Sequence, residues 1–148
     1  MKNAQLQQAV GEILREEVAR RGKVNFRVTG NSMAPLLKPG DIVTVRRVRR
    51  RWRLLPGDIL VLSGDGPLVV HHFLYWTLRD GQPHLRTAGR NGKALDRLWP
   101  REAVIGRVVL RERGKLSFRG PTAPLWLASS LFAALGGVLT ARLERLLK

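Results

Sequence analysis

A chain of 148 residues is long enough for one domain with a hydrophobic core and too short for two well-buried ones. Its 27 Lys and Arg against 11 Asp and Glu give a formal charge of +16, which favours polyanionic partners without choosing between nucleic acid and anionic lipid. The absence of cysteine excludes disulfides, thiolate nucleophiles and sulfur-ligated metals, and leaves His71, His72 and His84 as the histidines available for chemistry near neutral pH.

Leu6, Val10, Ile13, Leu14 and Val18 recur at helical spacing among charged and amide residues, so residues 3–21 are expected to form an amphipathic helix ending at Gly22. Gln7, Gln8, Glu12 and Arg15 interrupt any apolar run there, and no export signal is read. From Lys23 onward the texture becomes short β-branched runs: Val24–Thr29, Asp41–Val48, Gly57–Ser63, Leu68–Leu78, His84–Ala88 and Val104–Arg111. Turn chemistry separates them at Pro39-Gly40-Asp41, Pro56-Gly57-Asp58, Gly64-Asp65-Gly66-Pro67 and Asp80-Gly81. With no helical stretch between them, these strands predict a mainly β fold, a coiled antiparallel sheet or partly open barrel.

Residues 120–141 carry no charge and are mostly apolar from Leu125 onward. A C-terminal apolar helix with a basic tail is expected, either embedded in or lying on a membrane, or covering the sheet. The resulting division is an N-terminal helix (1–22), a β domain (23–119) and a C-terminal segment (120–148). Arg46-Arg47-Val48-Arg49-Arg50-Arg51-Trp52-Arg53 is either a solvated basic hairpin or a patch for anionic headgroups.

A serine attacks only where a base takes its proton and donors meet the oxyanion, so a serine exposed in a backbone turn is the place to look. Ser32 lies in such a turn, Gly30-Asn31-Ser32-Met33-Ala34-Pro35, between two predicted strands, although serine is also an ordinary turn residue. This box, with the later Gly40-Asp41, resembles the nucleophile box of the signal peptidase superfamily, S-G-S-M-x-P followed by G-D. Pro56-Gly57-Asp58-Ile59-Leu60-Val61 is similar to that superfamily's next strand, and Val104-Ile105-Gly106-Arg107-Val108 to its closing strand.

The third box separates the branches. Bacterial signal peptidases and the self-cleaving SOS repressors use a lysine base, whereas the archaeal and endoplasmic-reticulum type uses a histidine. This chain has Val69-Val70-His71-His72-Phe73 and no lysine between Lys38 and Lys93. The resemblance therefore implies His71 as the base, with His72 as the fallback, since neighbours on a strand face opposite ways. Gly89-Arg90-Asn91-Gly92-Lys93-Ala94-Leu95-Asp96 resembles the G-D-N-N-x-x-D-D motif, implying Asp96 as the orienting acid, with Arg90 in place of the first aspartate. An oxyanion site of main-chain amides around Gly30, Asn31 and Ser32, chiefly that of Ser32, completes the implied set.

The resemblance implies a signal-peptidase-type fold and a serine endopeptidase acting on a leader or precursor peptide, with no metal or organic cofactor. Attachment through residues 122–141, without an export signal, would leave the catalytic domain on the cytoplasmic side of a membrane. Two other classes are kept open. One is a non-catalytic basic β-barrel that binds nucleic acid, less favoured because only four Trp, four Phe and one Tyr are available for stacking. The other is an inactive pseudo-enzyme, suggested by Arg90 and by Gly30, which stands where many relatives carry an oxyanion-donating serine.

Overall fold

The computed structural model describes residues 2–90, 95–113 and 116–117. Helix α1 (Lys2–Arg21) is followed by eight strands: β1 (Lys23–Arg27), β2 (Ile42–Arg46), β3 (Ile59–Leu62), β4 (Val69–Arg79), β5 (Gln82–Ala88), β6 (Trp99–Pro100), β7 (Val104–Arg111) and β8 (Leu116–Ser117). They form one antiparallel sheet in the order β1-β2-β7-β3-β4-β5-β6, with β8 also paired to β7. Bulges in the β2–β7, β3–β7 and β4–β5 ladders strengthen the local twist, and the sheet curls into an open half-barrel.

β3 explains where the core sits. All four of its residues are buried, because apolar side chains cover both faces. Ile59 and Val61 pack with Leu14 and Val18 of α1 and with Met33 and Leu37 of the loop between β1 and β2. Leu60 and Leu62 pack on the other side with Phe73, Leu85 and Trp99. A strand covered on both faces has to be apolar at every position, which is why Ile-Leu-Val-Leu does not alternate. Each such side chain contributes roughly 2 kcal/mol of burial.

The helix ends where the sequence indicates. Gly22 adopts φ 80° and its N–H reaches the Val18 carbonyl at 2.9 Å, a left-handed cap that turns the chain straight into β1. Only part of the expected apolar face is used: Leu14 and Val18 are buried, whereas Leu6 and Ile13 stay about 60% exposed (62% and 61%) among the described residues.

β5 begins at Gln82, earlier than the sequence suggests. Asp80 (φ 51°) and Gly81 (φ 73°) close a two-residue hairpin that brings Gln82 opposite Arg79 at once. β6, at two residues, is too short for any periodic signal. The expected C-terminal apolar helix lies outside the described residues, among which no helix is long and apolar enough to cross a membrane.

Candidate active site

The loop carrying Ser32 connects β1 to β2 and is closed at its neck. Val28 N–H donates to the Asp41 carbonyl (2.9 Å) and Gly40 N–H to the Val28 carbonyl (2.7 Å). Met33 and Leu37 are plugged into the core at 2% and 0% exposure, joined by a Leu37 N–H to Met33 carbonyl bond of 3.0 Å. Anchoring Met33 leaves its neighbour Ser32 half-buried at the rim, with Gly30 and Asn31 exposed before it.

The far side of the loop is held from the end of β7 and the turn that follows it. Asp41 accepts the Lys38 amide (2.8 Å) and the Arg113 Nε (2.7 Å), while Arg113 Nη2 also donates to the Pro35 carbonyl (3.1 Å). Arg111 Nη1 donates to the Leu36 carbonyl at 2.5 Å. Burial works against ionisation of Asp41, but the hydrogen bonds from Arg113 and Lys38 outweigh it and hold the carboxyl below its usual range.

His71 stands on β4, opposite Leu60 of β3, with its Nε2 3.0 Å from the Ser32 Oγ. Its Nδ1 meets the Asp96 carboxylate. Both contacts form when Nδ1–H donates to Asp96 and Nε2 accepts the serine hydroxyl. Asp96 is itself tied to β5: its N–H donates to the Thr87 carbonyl (3.0 Å), its carbonyl accepts Arg86 Nη1 (2.6 Å), and its carboxylate accepts the Thr87 hydroxyl (2.5 Å). The structure thus brings together Ser32, His71 and Asp96, three residues separated by up to 64 positions in the chain.

His72 is directed elsewhere. It is 4% exposed, and its Nδ1 lies 3.2 Å from the Gly57 carbonyl rather than beside Ser32. Burial pushes its pKa down to about 4, with the nearby charges of Arg90 and His71 acting in the same direction, so it is neutral at pH 7. Asp41 and Asp58 cap their own Pro-Gly-Asp turns, each accepting an amide three residues earlier at 2.8 Å.

Thr87 and Arg86 escape a reading of the sequence, and Gly89 and Arg90 act in ways their motif does not show. Thr87 and Arg86 fix Asp96 but belong to no box. Gly89 closes the site from β5's end: a Cβ there would lie 2.9 Å from His71 Nε2 and 3.2 Å from the Ser32 carbonyl, so only glycine lets the two approach. Arg90, which replaces an aspartate of the motif, contributes through its backbone, whose N–H donates to the Ser32 carbonyl at 2.8 Å. A main-chain contact does not depend on the side chain, so the replacement leaves this tie intact.

A hydroxyl, an imidazole and a carboxylate in this order form the arrangement by which a serine is made nucleophilic. The chain belongs to the Peptidase S24-like family, whose model matches residues 7–109, well over half its length and all three residues of the constellation. No curated protein and no solved structure matches it significantly.

Proposed function

We propose that the protein is a serine endopeptidase that cleaves a leader or precursor peptide with Ser32 as nucleophile, His71 as general base and Asp96 as orienting acid. The observation that carries this reading is the 3.0 Å alignment of Ser32 Oγ with His71 Nε2, backed by Asp96 on the opposite ring nitrogen. In the first step His71 takes the hydroxyl proton as Ser32 attacks the scissile carbonyl, and the Ser32 amide meets the oxyanion, with Asn31 and Gly30 shaping that turn. The imidazolium, steadied by Asp96, returns the proton to the leaving amine. Water, deprotonated by the same imidazole, then releases the acyl-enzyme.

A histidine base suits this task at neutral pH without the strong desolvation a lysine would need. The uncharged stretch of residues 120–141 supports work at a membrane surface. The test is incubation with a library of proteome-derived peptides and sequencing of new termini by mass spectrometry. Termini made by the wild type and absent with Ser32→Ala are expected; identical patterns from both proteins would overturn the reading.

A further inference from the structure

At the end of the β1–β2 pair away from Ser32 lies a second recess. Arg27 pairs with Ile42 beside the nucleophile loop, whereas Lys23 pairs with Arg46 at the opposite end, about 13 Å along the strands. There a cavity of about 870 Å³ is lined by eight basic side chains, including Arg21, Arg46, Arg49, Arg50 and Arg53, and by no acidic one among the described residues. Arg21 is paired with Glu17 (2.8 Å) and Arg107 approaches Asp58 (3.6 Å), but Arg46, Arg49 and Arg50 have no carboxylate partner among the described residues.

Concentrated unpaired cations repel one another, and a recess that gathers them is stabilised by an anion that enters it. Arg49 and Arg50 also line an adjoining hollow of about 530 Å³, whose walls include Trp52, Trp76, Leu78 and Pro83. Trp52 is 70% exposed and carries the Arg53 guanidinium 5.0 Å from its ring centroid.

We propose that this recess binds single-stranded nucleic acid, with phosphates on the arginines and a base stacked on the exposed Trp52 ring. A cationic groove running into an aromatic platform is the combination such strands need, because the groove follows the backbone while the ring takes an unstacked base. A duplex keeps its base faces covered. A bilayer presents a plane that reaches the rim of a concave site but not its lining cations. The few aromatic residues of the chain are therefore less limiting than their number suggests, since two of the four tryptophans border this one hollow. The site is separate from the Ser32 constellation, and the proposal stands whether or not that constellation is catalytic.

The test is fluorescence anisotropy of the full chain with a labelled oligodeoxythymidine of roughly 15 nucleotides, between about 50 and 200 mM salt. Binding that falls steeply with salt is expected. Arg49→Glu combined with Arg50→Glu should weaken it at least about tenfold and flatten the salt slope. Trp52→Ala should weaken it about 5- to 100-fold while leaving the slope unchanged. Fluorophosphonate labelling should be the same in the wild type and both variants. Absence of wild-type binding at low salt would overturn the proposal, as would affinity unaltered by the substitutions. So would equal or tighter binding of a duplex of the same length, or of phosphatidylglycerol vesicles, through the same residues.

Discussion

The two ends of the β1–β2 pair are built on opposite plans. At the Ser32 end nearly every polar contact is internal: Asp41 with Arg113 and Lys38, Arg111 with the Leu36 carbonyl, Asp96 with Thr87 and Arg86, and the Ser32 carbonyl with the Arg90 amide. At the other end Arg46, Arg49 and Arg50 line a recess without a carboxylate partner among the described residues. A site that orders its own groups is prepared to act on a substrate, because little rearrangement remains at the moment of reaction. A site of unpaired like charges is completed by what it binds.

The sharpest way to break this contrast is at the internally ordered end. Asp96→Asn should lower the rate of Ser32 acylation by on the order of 10³ to 10⁴, since an amide no longer stabilises the imidazolium or selects the tautomer. Thermal unfolding should move little by comparison. Gly89→Ala comes next. Its Cβ would meet His71 Nε2 at 2.9 Å, and displacing the imidazole should cost about 10- to 100-fold in acylation, with the fold retained by circular dichroism.

A third prediction concerns the pH dependence that His72 confers on stability. The folded-state pKa of His72 lies at about 4, below the unfolded value of about 6.5. The unfolded chain therefore binds more protons in this window. The contribution of neutral His72 is fully present above pH 6.5 and is lost as pH falls toward 4, on the order of 3 kcal/mol in all. Chemical denaturation from pH 7 to 4 should show this loss, and His72→Gln should flatten that part of the profile.

The smallest effect concerns the loop's tie to the turn after β7. Arg113→Ala leaves the Asp41 carboxylate buried with the Lys38 amide but without its cation. Because Arg113 is 44% exposed, solvent screens the pair, and only a small loss of unfolding free energy, read by chemical denaturation, is expected. Acylation should slow severalfold as Pro35 loses its donor.

How far the sequence reaches differs between these features for physical reasons. The helix and six longer strands carry periodicity or β-branched runs, and their positions were legible within a few residues. Ser32, His71 and Asp96 were accessible because each sits in a short box, although nothing local says that β4 and the residue-96 segment meet. Thr87, Arg86 and Arg113 act through tertiary hydrogen bonds across the sheet, and such contacts leave no trace in spacing. Gly89 resembles any turn glycine until the approach of His71 to Ser32 shows why a side chain is excluded. The arginine run of residues 46–53 was conspicuous as charge, but its concavity arises from Arg21, Lys23 and Arg107 arriving from three other elements.

The central claim is that Ser32 is a nucleophile activated by His71, and active-site labelling addresses it most directly. The purified protein would be treated with a fluorophosphonate probe, the modified residue mapped by mass spectrometry, and the rate compared with Ser32→Ala and His71→Ala, each checked for folding. The account predicts modification at Ser32 in the wild type, none in Ser32→Ala, and a rate reduced by at least about 10³ in His71→Ala. Wild-type labelling at Ser32 that persists undiminished in His71→Ala would contradict it, as would a folded wild type that does not react.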